Sequence, residues 1–213
     1  VDGELDGIKG RLELDTGAND SLTVFNAFTE RHKLRTRYQK SVEAIDGKGV
    51  GGYVRSQVVR MPNIKIGDFI IPNVLASLSR NMQGVFAQDG PAGNIGSGIL
   101  SRFTVTFDYR HRKLYLEPNS YFGKSEIFNR SGAAIDHVDG KWVVIDIVQD
   151  GPAAEAGLKI GDEIIRLDGK ANKEITFRLI SEKARQELGT DVKITVQNAA
   201  GKRDVVVKLR DII

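Results

Sequence analysis

The chain has 213 residues, of which 40% are hydrophobic and 28% are charged, a composition that excludes a disordered or low-complexity protein. Its 23 glycines follow no repeating period, which excludes collagen, and no apolar run approaches the ~18 residues that a membrane-spanning helix requires. The absence of cysteine excludes a disulfide framework and thiolate metal sites. The length predicts two compact domains or one large β-rich domain.

The formal net charge is +3, and the positive excess is concentrated between residues 31 and 40. A basic run of this kind is usually a solvated surface, and only Tyr38 could stack on a base there, so we expect no nucleic-acid partner. The three histidines are far apart in the sequence and lack the spacing of metal ligands. We therefore expect neither a metal nor another cofactor.

Residues 1–118 mostly alternate between apolar and polar side chains, which predicts an all-β domain with few helices. The predicted strands are residues 8–14, 54–58, 104–107 and 114–116, with a hairpin at 64–71 that turns at Gly67-Asp68. The predicted helices are residues 23–33, with Asn19 and Ser21 as candidate caps, and 99–102.

Pro118-Asn119-Ser120 interrupts this pattern and predicts a linker near residues 118–130. Beyond the linker, four predicted strands surround one amphipathic helix at 177–188; these strands are residues 142–148, 163–167, 192–196 and 204–209. We therefore expect a mainly β protein with two domains, an all-β domain at residues 1–121 and an α+β domain at residues 122–213.

Asp15 lies where an alternating strand meets a glycine-containing turn, in Leu12-Glu13-Leu14-Asp15-Thr16-Gly17-Ala18. A second element, Asn94-Ile95-Gly96-Ser97-Gly98-Ile99-Leu100, leads into the strand pattern at 101–109. Over about 110 residues, these elements together resemble one lobe of a retropepsin-like aspartic protease, which implies that residues 1–121 form a β-barrel lobe. In one respect the chain departs from that family, because Asn94 stands where the family usually has a hydrophobic residue.

The resemblance implies that Asp15 is one catalytic aspartate, that the Thr16 hydroxyl braces the loop against its partner, and that Gly17 permits the turn. Hydrolysis of an amide needs one group to take a proton from water and another to protonate the leaving group, and two carboxylates that share a proton can do both. The second aspartate would come from a second Asp-Thr-Gly lobe, either upstream in the same chain or in a homodimer. The alternative from the residues alone is that Asp15 is a turn or capping carboxylate.

The glycine-rich stretch at 47–54 has the spacing of a dinucleotide-binding fingerprint. That site requires a helix after the glycines to hold the pyrophosphate, whereas residues 53–61 alternate as a strand. The stretch is therefore predicted to be a hairpin tip. The resemblance to the protease family implies that it is the flap that closes over the substrate, with Gly49, Gly51 and Gly52 as its glycines.

Residues 150–169, from Asp150-Gly151-Pro152 to Asp168-Gly169, closely resemble the core signature of bacterial PDZ domains. Each of these residues also suits a scaffold role, since Pro152 can begin a short helix and Gly157 can end it. In PDZ domains a peptide adds as a strand beside a helix while backbone N–H groups hold its C-terminal carboxylate. The resemblance places the helix at 177–188 and the peptide-binding residues at Gly132, Ala133, Ala134 and Ile135.

These resemblances together imply an aspartic endopeptidase lobe that hydrolyses peptide bonds and a PDZ domain that binds polypeptide C-termini. The alternative is a catalytically silent peptide-binding protein that retains the protease fold as a scaffold. The resemblances also imply a bacterial protein, and we expect a periplasmic or secreted location.

Overall fold

The computed structural model describes residues 1–49, 52–81, 84 and 89–213. The chain divides into two compact units, the first comprising residues 1–41 and 46–126 and the second comprising residues 42–45 and 127–213. The first unit extends to Glu126, whose carboxylate accepts a hydrogen bond from the Ser21 hydroxyl and lies 3.8 Å from Arg102.

A six-stranded closed barrel forms most of the first unit. The strands of its sheet are β1 (Asp2–Leu5), β2 (Ile8–Leu14), β3 (Leu22–Val24), β4 (Ser41–Gly49), β5 (Gly52–Ile66), β6 (Phe69–Ser79) and β7 (Pro91–Ile95). They are ordered β1-β2-β7-β3-β6-β5-β4, and β1 also pairs with β5, which closes the ring and leaves β4 outside it. Two short helices, α1 (Asn26–Arg31) and α2 (Ser97–Leu100), accompany the barrel. A separate hairpin follows, made of β8 (Phe103–Asp108) and β9 (Lys113–Pro118).

The barrel confirms the predicted mainly β fold and the hairpin at Gly67-Asp68, where Ile66 pairs with Phe69. The predicted helix at 23–33 is wrong at its start, because residues 22–24 form β3. Leu22 and Val24 are fully buried between β6 and β7, and burial of these two apolar side chains outweighs the local preference for helix. Asn19 and Ser21 therefore do not cap α1, which begins at Asn26.

Strand β7 was not predicted, because Pro91-Ala92-Gly93-Asn94-Ile95 has no alternating pattern. It pairs parallel with β2 on one side and antiparallel with β3 on the other. Gly93 has no room for a side chain, since a Cβ there would lie 2.4 Å from the Thr23 carbonyl oxygen. Strand β7 is buried on both sides. It brings the residues around Gly96 next to the end of β2.

The second unit is built on one antiparallel sheet with its own core. Its strands are β10 (Ala133–Val138), β11 (Lys141–Ile147), β12 (Glu163–Leu167), β13 (Lys170–Ala171), β14 (Asp191–Asn198) and β15 (Gly201–Lys208). They are ordered β10-β11-β12-β14-β15, so that β10 is an edge strand, and β13 pairs with β12. Two helices pack with them, α3 (Pro152–Glu155) and α4 (Phe177–Ala184).

Helix α4 ends at Ala184, four residues before the predicted end at Leu188. The chain then turns at Gly189, whose N–H donates to the Leu209 carbonyl. Gly189 adopts a φ of +82°, a value that favours glycine. In the described part of the chain, no helix has both the length and the apolar character needed to cross a membrane.

Candidate functional site

The Asp15 loop, which runs from Asp15 to Ser21, is tied to the segment around Gly96 by four backbone hydrogen bonds. The Asp15 N–H donates to the Ile95 carbonyl at 3.0 Å, and the Gly96 N–H donates to the Ser21 carbonyl at 3.0 Å. The other two bonds run from Ser97 N–H to Ala18 O (2.8 Å) and from Gly98 N–H to Asp20 O (3.0 Å). The two motifs that the sequence analysis singled out are therefore one substructure.

Close packing explains why glycine occupies two positions of this substructure. A Cβ at Gly96 would lie 2.3 Å from the Asp20 carbonyl oxygen, and a Cβ at Gly98 would lie 2.2 Å from the Ser21 hydroxyl oxygen. Both distances are well below van der Waals contact. The loop that carries Asp15 is thus held against α2 by backbone contacts that a larger residue would push apart.

The Asp15 side chain is exposed, and its Oδ1 accepts a hydrogen bond of 2.8 Å from the Gly17 N–H. This bond leaves Oδ2 free of any protein donor, since Asp15 has no other side-chain hydrogen bond in the described structure. Thr16 is exposed beside it. Asp15 is therefore accessible to water and to a second carboxylate while its orientation is fixed from within the loop.

A cleft of about 370 Å³ opens at Asp15, and we call it the Asp15 cleft. Its wall is formed by residues of the 15–23 segment, by Asn94, and by four residues of the β4–β5 hairpin, namely Gly47, Lys48, Val54 and Ser56. The hairpin that the sequence analysis assigned as the flap thus faces the aspartate across the cleft.

Two of the three flap glycines, Gly49 and Gly52, are described, and they lie in this hairpin beyond the residues that line the cleft. Gly49 ends β4, and Gly52 begins β5 with a φ of +111° and no atom within 4 Å of a Cβ placed there. Gly51 lies outside the described residues. Near the tip, the Lys48 ammonium lies 5.1 Å from the centre of the Tyr53 ring.

Sequence reasoning missed four polar residues that line the cleft. Thr23 donates a hydrogen bond to the Asp20 carboxylate, and both side chains belong to the wall next to Asp15. Asn94 and Ser56 are almost completely buried in the wall, at 6% and 0% exposure. The departure from the family pattern at Asn94 was visible in the sequence, but its position on the cleft wall was not.

In the second unit, the predicted peptide-binding residues lie at the start of edge strand β10. Asn129 organises the loop before it: its Oδ1 accepts from the N–H groups of Ser131 (3.0 Å) and Gly132 (3.3 Å), and the Ala133 N–H donates to the Ser131 hydroxyl at 3.2 Å. Gly132 has a φ of +70°. These three N–H groups thus donate within the loop, so the carboxylate of a peptide could use them only by displacing the side chains of Asn129 and Ser131. Ala134 and Ile135 continue into β10 with a register shift between them.

Arg130 connects this loop to the end of α4. Its N–H donates to the Ala184 carbonyl at 2.8 Å, and its guanidinium donates to the Gln186 carbonyl at 2.7 Å. Arg185, just after the helix, also donates to the Ile127 carbonyl at 3.0 Å, so several bonds hold the segment before β10 at the end of the helix. An edge strand beside a helix is the arrangement to which a peptide adds as a further strand.

Asp162 explains the Gly-Asp part of the PDZ-like signature. Its carboxylate is 1% exposed and accepts from the Lys159 N–H (2.9 Å), Asn198 (2.7 Å) and Arg203 (2.5 Å). Burial alone would raise the pKa of this carboxyl, but the hydrogen bonds from Arg203, Lys159 and Asn198 outweigh it and lower the pKa below its usual value. Asp162 thus connects the turn before β12 to β14 and β15.

Comparison with known families gives two matches that follow the division of the chain. Residues 1–99 match the aspartyl protease family, and residues 130–209 match the PDZ domain family. Among curated proteins, the carboxy-terminal processing protease CtpA of Bacillus subtilis is 32% identical over 90 residues, which are 42% of this chain and 19% of that protein. CtpB of the same organism is 29% identical over 85 residues. The chain spans about a fifth of the length of these relatives.

Two solved structures align with parts of this chain. A retropepsin-like aspartic protease from Rickettsia conorii aligns with a TM-score of 0.39 at 14% identity, covering 55% of this chain and 79% of that one. A photosystem II D1 C-terminal processing protease aligns with a TM-score of 0.36 at 24% identity, covering 38% of this chain and 23% of that one. From the family matches, the chain joins an aspartyl protease family domain at residues 1–99 to a PDZ domain at residues 130–209.

Proposed function

We propose that the first unit is one lobe of an aspartic endopeptidase, in which Asp15 forms a catalytic pair with an aspartate from a second Asp-Thr-Gly lobe. The observation that carries this proposal is the attachment of the Asp15 loop to the Gly96 segment by four backbone hydrogen bonds, beside a cleft that the β4–β5 hairpin faces. A carboxylate fixed in this way is preorganised for proton transfer.

The chemistry requires two carboxylates that share one proton. The ionised member takes a proton from the attacking water. The protonated member donates a hydrogen bond to the carbonyl oxygen, and the leaving nitrogen is protonated afterwards. Because like charges close together cannot both ionise, the pair titrates with two separated pKa values. Asp15 supplies one member, and its free Oδ2 is the atom available to share the proton. The other comes from an upstream lobe or from a second copy of this chain.

The test is the substitution Asp15→Asn in the full-length protein, assayed on an unstructured polypeptide by mass spectrometry. We expect cleavage with an acidic pH preference, because one carboxyl must stay protonated, and we expect Asp15→Asn to abolish it without loss of thermal stability. Asp68→Asn, at the exposed β5–β6 turn, is the control and should retain activity. Cleavage that persists in Asp15→Asn would refute the assignment, and no cleavage by the unsubstituted protein would favour the silent scaffold.

We further propose that the PDZ domain binds polypeptide C-termini along the edge of β10 beside α4. The support is the exposed position of β10 at the end of its sheet and the hydrogen bonds from Arg130 and Arg185 that hold the segment before β10 at the end of α4. Peptides with a free hydrophobic C-terminus should bind with a Kd on the order of micromolar, measured by fluorescence anisotropy. Amidation of the C-terminus removes the carboxylate and should abolish binding; equal binding of amidated peptides would reject this mode.

A further inference from the structure

The Asp15 cleft contains two buried polar groups that have no hydrogen-bond partner. They are the side-chain Oδ1 of Asn94 and the Oγ of Ser56, and both residues line the cleft. Asn94 is 6% exposed and Ser56 is 0% exposed. The large majority of buried polar groups in native proteins are hydrogen-bonded. Two groups without a partner in one cleft therefore point to a ligand group that hydrogen-bonds to them.

Their positions in the barrel show that the two groups belong to opposite parts of the wall. Asn94 lies on β7 in register with Glu13 of β2 and Thr23 of β3, on the side of the cleft that carries Asp15. Ser56 lies on β5, in the hairpin that faces the aspartate. A group that enters between these walls meets one polar residue from each.

The chemistry of the two residues defines what they can bind. A carboxamide offers an acceptor oxygen and a donor nitrogen, and a half-turn about its terminal bond exchanges them, while a hydroxyl can donate or accept. Neither group carries a charge. Asn94 and Ser56 therefore offer no counter-charge to a buried ionised side chain. A carboxylate would also be repelled by Asp15 and Asp20, which line the same cleft.

We infer that Asn94 and Ser56 form a polar specificity subsite in the Asp15 cleft, which selects a substrate side chain bearing an uncharged amide or hydroxyl. This inference rests on the proposed function in taking a polypeptide as the ligand of the cleft. It predicts that substrates with Asn, Gln, Ser or Thr at one position are preferred over those with apolar residues of similar size, because only the polar side chains satisfy the orphaned groups.

The test separates binding from turnover. Labelled, C-terminally amidated peptides, in which each position in turn carries Asn, Gln, Ser, Thr, Leu, Val or Lys, are titrated against the full-length Asp15→Asn protein by fluorescence anisotropy. Amidation removes the carboxylate that the PDZ domain would hold. At one position we expect the uncharged polar side chains to bind about tenfold more tightly than Leu or Val.

Three variants in the same background locate the effect. Asn94→Leu, close in size and apolar, should abolish or reverse the preference, and Ser56→Ala should weaken it while making the smallest structural change. Thr29→Val is the matched control, because the Thr29 hydroxyl is also buried without a partner but does not line the cleft. Its preference should equal that of the parent protein.

The outcomes distinguish this inference from the protease proposal. A preference that depends on Asn94 or Ser56 supports the subsite even if the unsubstituted protein cleaves no peptide. Cleavage of these peptides without such a preference retains the protease proposal and overturns the subsite. The subsite is also overturned if no position discriminates, if Lys is preferred, if no peptide binds, or if the preference survives both Asn94→Leu and Ser56→Ala.

Discussion

The buried carboxylate of Asp162 should be the strongest single polar contribution to the stability of the second unit. Each of its oxygens accepts two hydrogen bonds: Oδ2 from the Lys159 N–H and Arg203, and Oδ1 from Asn198 and Arg203. Asp162→Asn replaces one oxygen by an NH₂ group, which cannot accept. Whichever way the new amide turns, two donors lose their acceptor, and one of them belongs to Arg203.

The magnitude follows from the kinds of bond that are lost. Both lost bonds end on an ionised carboxylate, and a hydrogen bond to a charged group contributes about 1.5–3 kcal/mol, so at the low end of this range the substitution should lower the free energy of unfolding by about 3 kcal/mol. Loss of the partner of a buried charge can cost about 3–5 kcal/mol. The low end applies here, because the Arg203 side chain is 34% exposed and keeps its 2.9 Å bond to the Gly157 carbonyl.

The assay uses the single tryptophan of the chain. Trp142 is 6% exposed in the core of the second unit, so its fluorescence during guanidinium unfolding reports that unit without interference from the first. For a unit of this size, a loss of about 3 kcal/mol should lower the Tm by roughly 15 °C. Asp191→Asn, an exposed carboxylate on β14, is the control and should change the free energy by less than about 0.5 kcal/mol.

The pH dependence gives a second check on the same reasoning. The pKa of Asp162 is lowered in the folded state by Arg203 and its other donors, which outweigh the opposing effect of burial, so its stabilisation is fully present above the unfolded pKa of about 3.9 and is lost as the pH falls through the folded value. The difference between the parent protein and Asp162→Asn should be constant at neutral pH and shrink below about pH 4. A difference below 1 kcal/mol at neutral pH, or one that grows on acidification, would refute the reasoning.

Three further predictions concern the glycine packing, the linker and the PDZ loop. Gly96→Ala should destabilise the first unit by about 3 kcal/mol in calorimetry, because its Cβ would lie 2.3 Å from the Asp20 carbonyl oxygen; an unchanged Tm would show that the loop can move aside. Brief trypsin treatment should cut after Lys124, which is exposed, before Arg130, whose N–H and guanidinium are hydrogen-bonded; initial cleavage before residue 118 or after residue 130 would contradict a linker here. Asn129→Ala should lower the stability of the second unit by about 2 kcal/mol on Trp142 fluorescence, since its side chain accepts from Ser131 and Gly132 and donates 2.7 Å to Ala133; a neutral result would show that water replaces these bonds.

Local patterns were sufficient to predict most strands and the glycine-dependent motifs. Alternation marked β2, the hairpin at Gly67-Asp68 and four strands of the second unit, namely β11, β12, β14 and β15, because a half-exposed antiparallel strand must alternate. It did not mark β10. The Asp-Thr-Gly and Gly-Asp motifs were visible for a similar reason. They combine residue types that tight turns and close backbone packing require within a few positions.

Tertiary packing decided what local patterns could not. Leu22 and Val24 lie in a strand because the barrel buries them between β6 and β7, and the sequence near them favours helix. Strand β7 lacks alternation because both of its faces are buried, as the consecutive buried residues 92–95 show. Asn94 looked like an unexplained departure from a family pattern, but its role depends on Ser56, which lies 38 positions earlier in the sequence and reaches the same cleft only when the barrel closes. The sequence thus determined many of the strands and singled out Asp15, whereas long-range pairing decided which polar side chains surround it.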